Sequence, residues 1–230
     1  MVSFFHIVDP FFLPSPGMIV LSFAKLLGDG ILGTNIMMTL WRVLCAFMIA
    51  LILGIPLGLL LGWSKSVYTH FEGVIDFFRS IPATAMFPLF LLVFGVGDNS
   101  KIAVAAFSST IIIIFNTAHG IRYAKQSRIH AARLMGASKL QMFQHIYFWE
   151  SLPQIFVGIR TSISLSVIII VITEMFVGTT FGVGKLIVDF QYSYEIPAMY
   201  AIILCVGFMG YLLNLILVAL ETRLIHWNGK

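Results

Sequence analysis

The run GTTFGVGKL at 178–186 comes nearest to a phosphate-binding pattern anywhere in this sequence. A nucleotide-binding loop needs a glycine separated by four residues from its Gly-Lys pair, and a Ser or Thr after the lysine to reach magnesium. Here those two positions hold Thr179 and Leu186, so the run does not make a nucleotide-binding loop. No set of Ser, His and Asp supports nucleophilic catalysis, and no spacing of His, Cys, Asp or Glu suggests a metal site. His119 falls in an apolar run, where a hydrogen bond inside a helical bundle accounts for it better than a ligand role. Cys45 and Cys205 also fall in apolar runs, where a thiol behaves as a small hydrophobe. The expectation is a chain that is no enzyme and binds no cofactor or metal of its own. What does need explaining is Arg42 and Glu174, two charges set in long apolar stretches. Either they pair with each other, or Arg42 attracts an anion while Glu174 holds it in place.

Those stretches belong to a chain of 230 residues, 59% hydrophobic and 10% charged, with a mean hydropathy of +0.98. Such a composition excludes a water-soluble domain and implies an all-α membrane protein, because a helix satisfies its backbone polar groups internally. The net charge of +4 sits in loops between apolar spans and implies membrane orientation rather than nucleic acid. The opening MVSFFHIVDPFFLPSPG has no basic leader and contains Asp9, which makes it a poor secretory signal. About 20 apolar residues are needed to cross as helix. The uncharged runs 43–64, 80–97, 102–121 and 196–220 meet that need, and 152–177 makes a fifth span with Arg160 and Glu174 near its two ends. The run 18–27 is too short to cross and is expected to lie in the interface as an amphipathic helix.

Five spans place the loops alternately on two sides. Arg122, Lys125, Arg128, Arg133 and Lys139 crowd one loop, with Lys65, Arg223 and Lys230 on the same side, so that side is expected to be cytoplasmic and the N-terminus external. Lys25, Lys101 and Lys185 fall on the other side, balanced by Asp9, Asp29, Asp98, Asp189 and Glu195. The resulting organisation is an external or interfacial segment over 1–35, a transmembrane domain over 36–220 that includes a cytoplasmic loop at 122–151, and a cytoplasmic tail at 221–230. Gly54, Pro56, Gly58 and Gly62 have the spacing of a close helix-packing surface, with a ligand-approach surface as the alternative. Pro82 and Pro88 interrupt the second span, and Arg79 and Arg160 are expected to snorkel or pair near cytoplasmic ends. No internal repeat is present, so a path made by this chain needs a second subunit for its other half.

The loop itself carries an apolar face away from the membrane. His130, Ala131 and Ala132 precede Gly136 and Ala137, an amphipathic run follows over 138–149, and Met135, Met142, Phe143 and Ile146 give the loop its apolar face. Paired alanines permit close approach, and methionines adapt to a docking groove. From the residues alone, two readings stay open: a surface for a cytoplasmic partner, or an interfacial helix folded back under the bundle.

The arrangement HAARLMGASKLQMFQHI followed by LPQIFVGIR resembles the signature of ABC-importer permeases, an alanine-rich triplet followed three residues later by glycine and then by Leu-Pro. Ala131, Ala132, Gly136, Ile146 and Leu152-Pro153 fit that pattern, while His130 stands in place of the usual glutamate and Phe148-Trp149 in place of the first Leu-Pro. LPSP, GIPLGLLLG, RSIPATAMFPL, FGVGD and NTAHG recur in the order found in the nitrate, sulfonate and taurine group, whose members usually carry another transmembrane helix before LPSP. The resemblance implies a type I importer permease of the bacterial inner membrane. Its loop would dock through His130, Ala131, Ala132, Gly136, Ala137, Met142 and Ile146 onto a cytoplasmic ABC ATPase dimer that holds ATP and Mg. A second permease subunit, identical or related, and a periplasmic or lipid-anchored binding protein would complete the assembly. A non-transporting scaffold or receptor subunit using the same loop, and a secondary transporter, are the competing readings.

Overall fold

The computed structural model describes residues 12–176 and 179–225. The expectations for Asp9, the N-terminus, the last residue of the 152–177 span, Gly178, Lys230 and all but the start of the tail lie outside them. The described residues form helices and no strand. In order these are α1 (Pro16–Gly28), α2 (Ile31–Trp63), α3 (Lys65–Ser80), α4 (Ala83–Phe94), α5 (Asp98–Arg122), α6 (Gln126–Leu134), α7 (Lys139–Met142), a π-helical turn (Phe143–Tyr147), α8 (Phe148–Phe176), α9 (Val183–Tyr192) and α10 (Ile196–Leu224).

Helix α1 begins where the LPSP motif sets it: Ser15 caps the Met18 amide at 3.4 Å, and Pro16 occupies a first-turn position whose missing N–H costs nothing. Its 13 residues extend only about 20 Å, too short to cross, and it lies along α10. Helix α2 starts at Ile31, twelve residues ahead of the uncharged run at 43–64. An apolar-run criterion stops at Arg42, but that side chain is paired inside the bundle and the helix continues through it.

Two other spans differ from expectation. The run 80–97 is not one crossing helix: α4 has 12 residues and meets α3 at a bend of 93°. Ile81 and Pro82 are extended at the bend, because a proline disfavours helical backbone in the residue before it. Among the described residues four helices are therefore long and apolar enough to cross, or five when the bent pair counts as one span. The amphipathic run over 138–149 does not stand apart from the span that follows it either. Lys139–Phe176 forms one apolar rod of 38 residues, with the π-turn inside it and Pro153 accommodated early in α8.

Helices α2, α5 and α8 make the core. Gly54, Gly58 and Gly62 recur every fourth residue and so share one face of α2, which lies directly on α5. A Cβ on Gly58 would stand 2.5 Å from Thr117 Cβ and 2.9 Å from the Ile114 carbonyl oxygen, so only glycine permits this approach. The stripe is a packing surface. Between α5 and α8, Ser109 bonds Ser166 at 2.8 Å, and Gln154 donates to Asn116 at 3.0 Å. The parallel course of α2 and α5, Gly54 facing Ile113 and Gly62 facing Ile121, defines two ends. Trp63, Arg122 and the loop lie at one, with Trp63 packed edge-on against Phe143 and Tyr147; Arg42, Asp98 and Glu174 lie toward the other.

Candidate functional site

The loop end carries a short projecting structure. Ile129 is buried and anchors α6, while Arg128 pairs with Glu150 in the first turn of α8. Helix α6 ends where Gly136 adopts φ +78°, a left-handed conformation that a side chain resists. The Gly136 and Ala137 amides then return to the carbonyls of Arg133 and Ala132, each at 3.0 Å, a Schellman ending that satisfies the last carbonyls of the helix. Ser138 opens the rod with a reciprocal cap, bonding the Gln141 amide at 3.3 Å while its own amide donates to Gln141 Oε1 at 2.8 Å. A stop and a start set two residues apart make this a defined corner.

His130, Ala131 and Gly136 are exposed there, and Ala132 and Ala137 are half-buried. Ile146 is half-buried within the π-turn, and Met142 is buried beside a cleft shared with Trp63 and Lys65, so it is not part of the outer face. The apolar residues at the tip are instead Leu134 and Met135, 90% and 86% exposed, while Leu140 lines a cleft with Leu59, Leu60 and Trp63 of α2. Leu134 is not among the residues that the sequence singles out. Its signal is position rather than periodicity, since it stands just before the glycine corner at the end of α6.

Toward the opposite end, Arg42 and Glu174 are brought together as the centre of a larger ionic node. Arg42 Nη1 lies 2.5 Å from Glu174 Oε1 and donates to the Phe181 carbonyl at 2.8 Å, while Nε donates to Asp98 Oδ1 at 2.8 Å. Glu174 also accepts from Thr39 Oγ1 at 2.8 Å and from the Gly184 amide at 3.0 Å. Asn35 Oδ1 and Thr39 Oγ1 accept the Gly182 and Val183 amides at 2.6 and 3.0 Å. The amides that open α9 are thus satisfied by α2 and α8, and the GTTFGVGKL run offers none of these three donors to a phosphate. Lys101 was counted from sequence as an external loop charge, yet it is wholly buried, donating to the Gly97 carbonyl at 3.0 Å with Asp98 4.0 Å away. Two cations and two anions balance, which is how charges persist at 2% exposure or less for Arg42, Glu174 and Lys101.

Arg160 and Arg79 occupy a third setting. Arg160 donates from Nε to Asn214 Oδ1 and from Nη1 to Glu221 Oε2, each at 3.2 Å. It lines an open groove of about 700 Å³ between α8 and α10. Arg79 sits 4.1 Å from the Phe115 ring centroid and pairs with Asp76 at 3.3 Å, lining a smaller cleft of about 270 Å³. His119 stacks on Tyr123, with ring centroids 4.1 Å apart.

Residues 54–226 match the family described as Binding-protein-dependent transport system inner membrane component. The chain belongs to that family. Similar proteins include the taurine transport system permease protein of Escherichia coli, 27% identical over all of this chain and 85% of its own length. The putative aliphatic sulfonates transport permease protein of Bacillus subtilis is 29% identical over 97% of this chain and 81% of its own length. The nitrate import permease protein of Synechocystis is 33% identical over 86% of this chain and 72% of its own length. Among solved structures, an inward-facing form of the MetNI methionine ABC transporter superposes with a TM-score of 0.71 at 18% identity, covering 87% of this chain and 97% of that one. That likeness fixes the fold, that of an ABC importer permease. This permease is a multi-pass component of the inner membrane, and the family match runs from the Gly54 packing stripe through the corner at Gly136 to the end of α10.

Proposed function

We propose that this permease carries a small oxyanion, such as nitrate or an alkyl sulfonate, as one of two permease subunits driven by a cytoplasmic ATPase dimer that holds ATP and Mg. The observation that carries the coupling half of this reading is the corner at Gly136. It presents Leu134 and Met135 away from the bundle on a rigid mount, and exposed apolar side chains at such a tip call for a protein partner. The rod that starts at the corner runs without a chain break from Lys139 to Phe176, about 57 Å, and bears Glu174 near its far end. Movement of the tip by a closing ATPase pair is therefore transmitted as motion of a helix, not dissipated in a loop. Tipping the rod against α2 and α5 opens the path to one side and then the other. In this reading the basic loop end is cytoplasmic, and the end carrying α9 is external, where a substrate-binding protein delivers solute.

Leu134→Asp, Met135→Asp and Ala132→Asp test the docking surface. The first two positions are so exposed that folding should not suffer, whereas a charge on an apolar contact should release the ATPase. Insertion at the wild-type level with loss of ATPase co-purification and of substrate-stimulated ATP hydrolysis is expected. Unchanged co-purification and stimulation in all three variants would remove the docking assignment.

A further inference from the structure

The ionic node around Arg42 is saturated by protein partners, but Arg160 and Arg79 are not. Arg160 stands fourteen residues before Glu174 on α8, about 21 Å along the helix. Its partner Asn214 is well inside α10. Arg79 lies over Phe115, which stands seven residues before the end of α5. The Arg160 guanidinium therefore falls at a level flanked by apolar helix on either side, where a charge facing lipid is costly and a charge facing a watery path is functional, and Arg79 stands nearer the loop end, at the close of the amphipathic α3. The groove lined by Arg160 and the cleft lined by Arg79 lie side by side, with Ile112 and Leu165 lining both.

The donors along this surface are the two arginines and the Asn214 amide, while the Ser108, Thr161 and Ser164 hydroxyls spend their protons on carbonyls of their own helices. Arg160 uses Nε and Nη1 in its two bonds, leaving Nη2 outside both. Asn214 accepts from Arg160 through Oδ1, which leaves its amide hydrogens to donate, and the exposed Tyr211 hydroxyl lies in the same groove. Each arginine is held by one carboxylate, Glu221 or Asp76. A planar guanidinium presents paired donors that match the oxygens of an oxyanion, so these carboxylates and a transported anion are chemically equivalent partners.

We propose that this groove and cleft together are the station of the transported oxyanion within the membrane: Arg160, Arg79 and the Asn214 amide donate to it, and Glu221 takes its place on Arg160 when the groove is empty. This rests on the anion-import reading. The exchange supplies what transport needs beyond binding. An arginine left bare at this depth would hold its anion too firmly, whereas a resident carboxylate lowers the cost of release by re-forming a bond as the substrate leaves.

The test uses the complete transporter, with its ATPase and binding protein, in proteoliposomes, with nitrate and ethanesulfonate as probes. The decisive variant is Arg160→Gln/Glu221→Gln. If Arg160 were only a structural partner of Glu221, removing both charges would repair the damage done by removing one, and import would return to within about twofold of wild type. If Arg160 binds the anion, the double variant stays defective by about tenfold or more, the size expected for losing a charge-assisted hydrogen bond. Arg160→Lys, which keeps the charge without the fork, should fall between, and Arg79→Gln should reduce import independently. Wild-type import of either anion with full recovery in the double variant would overturn the station. Wild-type vesicles that accumulate a neutral or cationic solute and neither anion would overturn the anion reading itself.

Discussion

Arg42→Gln is the sharpest perturbation of the bundle. It removes the bonds to Glu174, Asp98 and the Phe181 carbonyl together. Lys101 still offsets Asp98, which is 41% exposed, so the uncompensated charge falls on Glu174, whose side chain is fully buried and keeps only the Thr39 hydroxyl and the Gly184 amide. Breaking a buried pair from one side costs about 3–5 kcal/mol. At about 2–4 °C per kcal/mol for a chain of this size, the thermal midpoint should fall by on the order of 10 °C. Glu174→Gln alone leaves Arg42 and Lys101 against Asp98 and should be damaging in the same range. Arg42→Gln/Glu174→Gln restores the balance, and the glutamine introduced by Glu174→Gln keeps a side-chain oxygen for the Gly184 amide. The double variant should therefore be more stable than the sum of the single losses by at least about 2 kcal/mol, the signature of direct coupling. Purified protein in detergent, heated at one fixed scan rate because membrane proteins unfold irreversibly, gives the four midpoints of the cycle. Additivity within about 0.5 kcal/mol would refute the reasoning and leave Arg42 and Glu174 with separate roles.

Gly58→Val should be destabilising by about 1–3 kcal/mol through overpacking against Thr117 and the Ile114 carbonyl, while Gly73→Ala, a helical position with no atom within 4 Å of the added carbon, should be neutral or slightly stabilising. Equal midpoints for the two variants would show that the small-residue stripe does not set the approach of α2 to α5. In a background lacking Cys45 and Cys205, Tyr192→Cys should react with a membrane-impermeant thiol reagent in intact cells and Lys139→Cys should not, because Tyr192 is exposed at the α9 end and Lys139 at the basic loop end. Labelling of Lys139→Cys alone would invert the orientation.

Much of the architecture was decided by composition and short-range chemistry. Apolar runs of helix-spanning length, with their backbones unable to meet water, leave few alternatives to a helical bundle. The Ser15-Pro16 start of α1 and the Gly136 corner are local signals that act through the backbone of their own segments, and the glycine period over 54–62 marks a packing face without naming α5 as its partner. Local signals have a limit, which the misplaced boundaries mark. A charge ends an apolar run on paper, but whether it ends a helix depends on what lies opposite: Arg42 is inside because Asp98 and Glu174 come to it from α5 and α8, and Lys101, bonded to the Gly97 carbonyl at the start of its own helix, is covered by the same packing. The sequence likewise singles out Arg42 and Glu174 as the charges that need partners, without giving Asp98, Thr39 and the α9 amides as the rest of the set. Arg79 and Arg160 look like separate snorkelling residues when read along the chain. Only the crossing of α5 and α8 at Ile112 and Leu165 makes them two donors on one surface, because side chains eighty-one residues apart acquire a shared chemistry through packing alone.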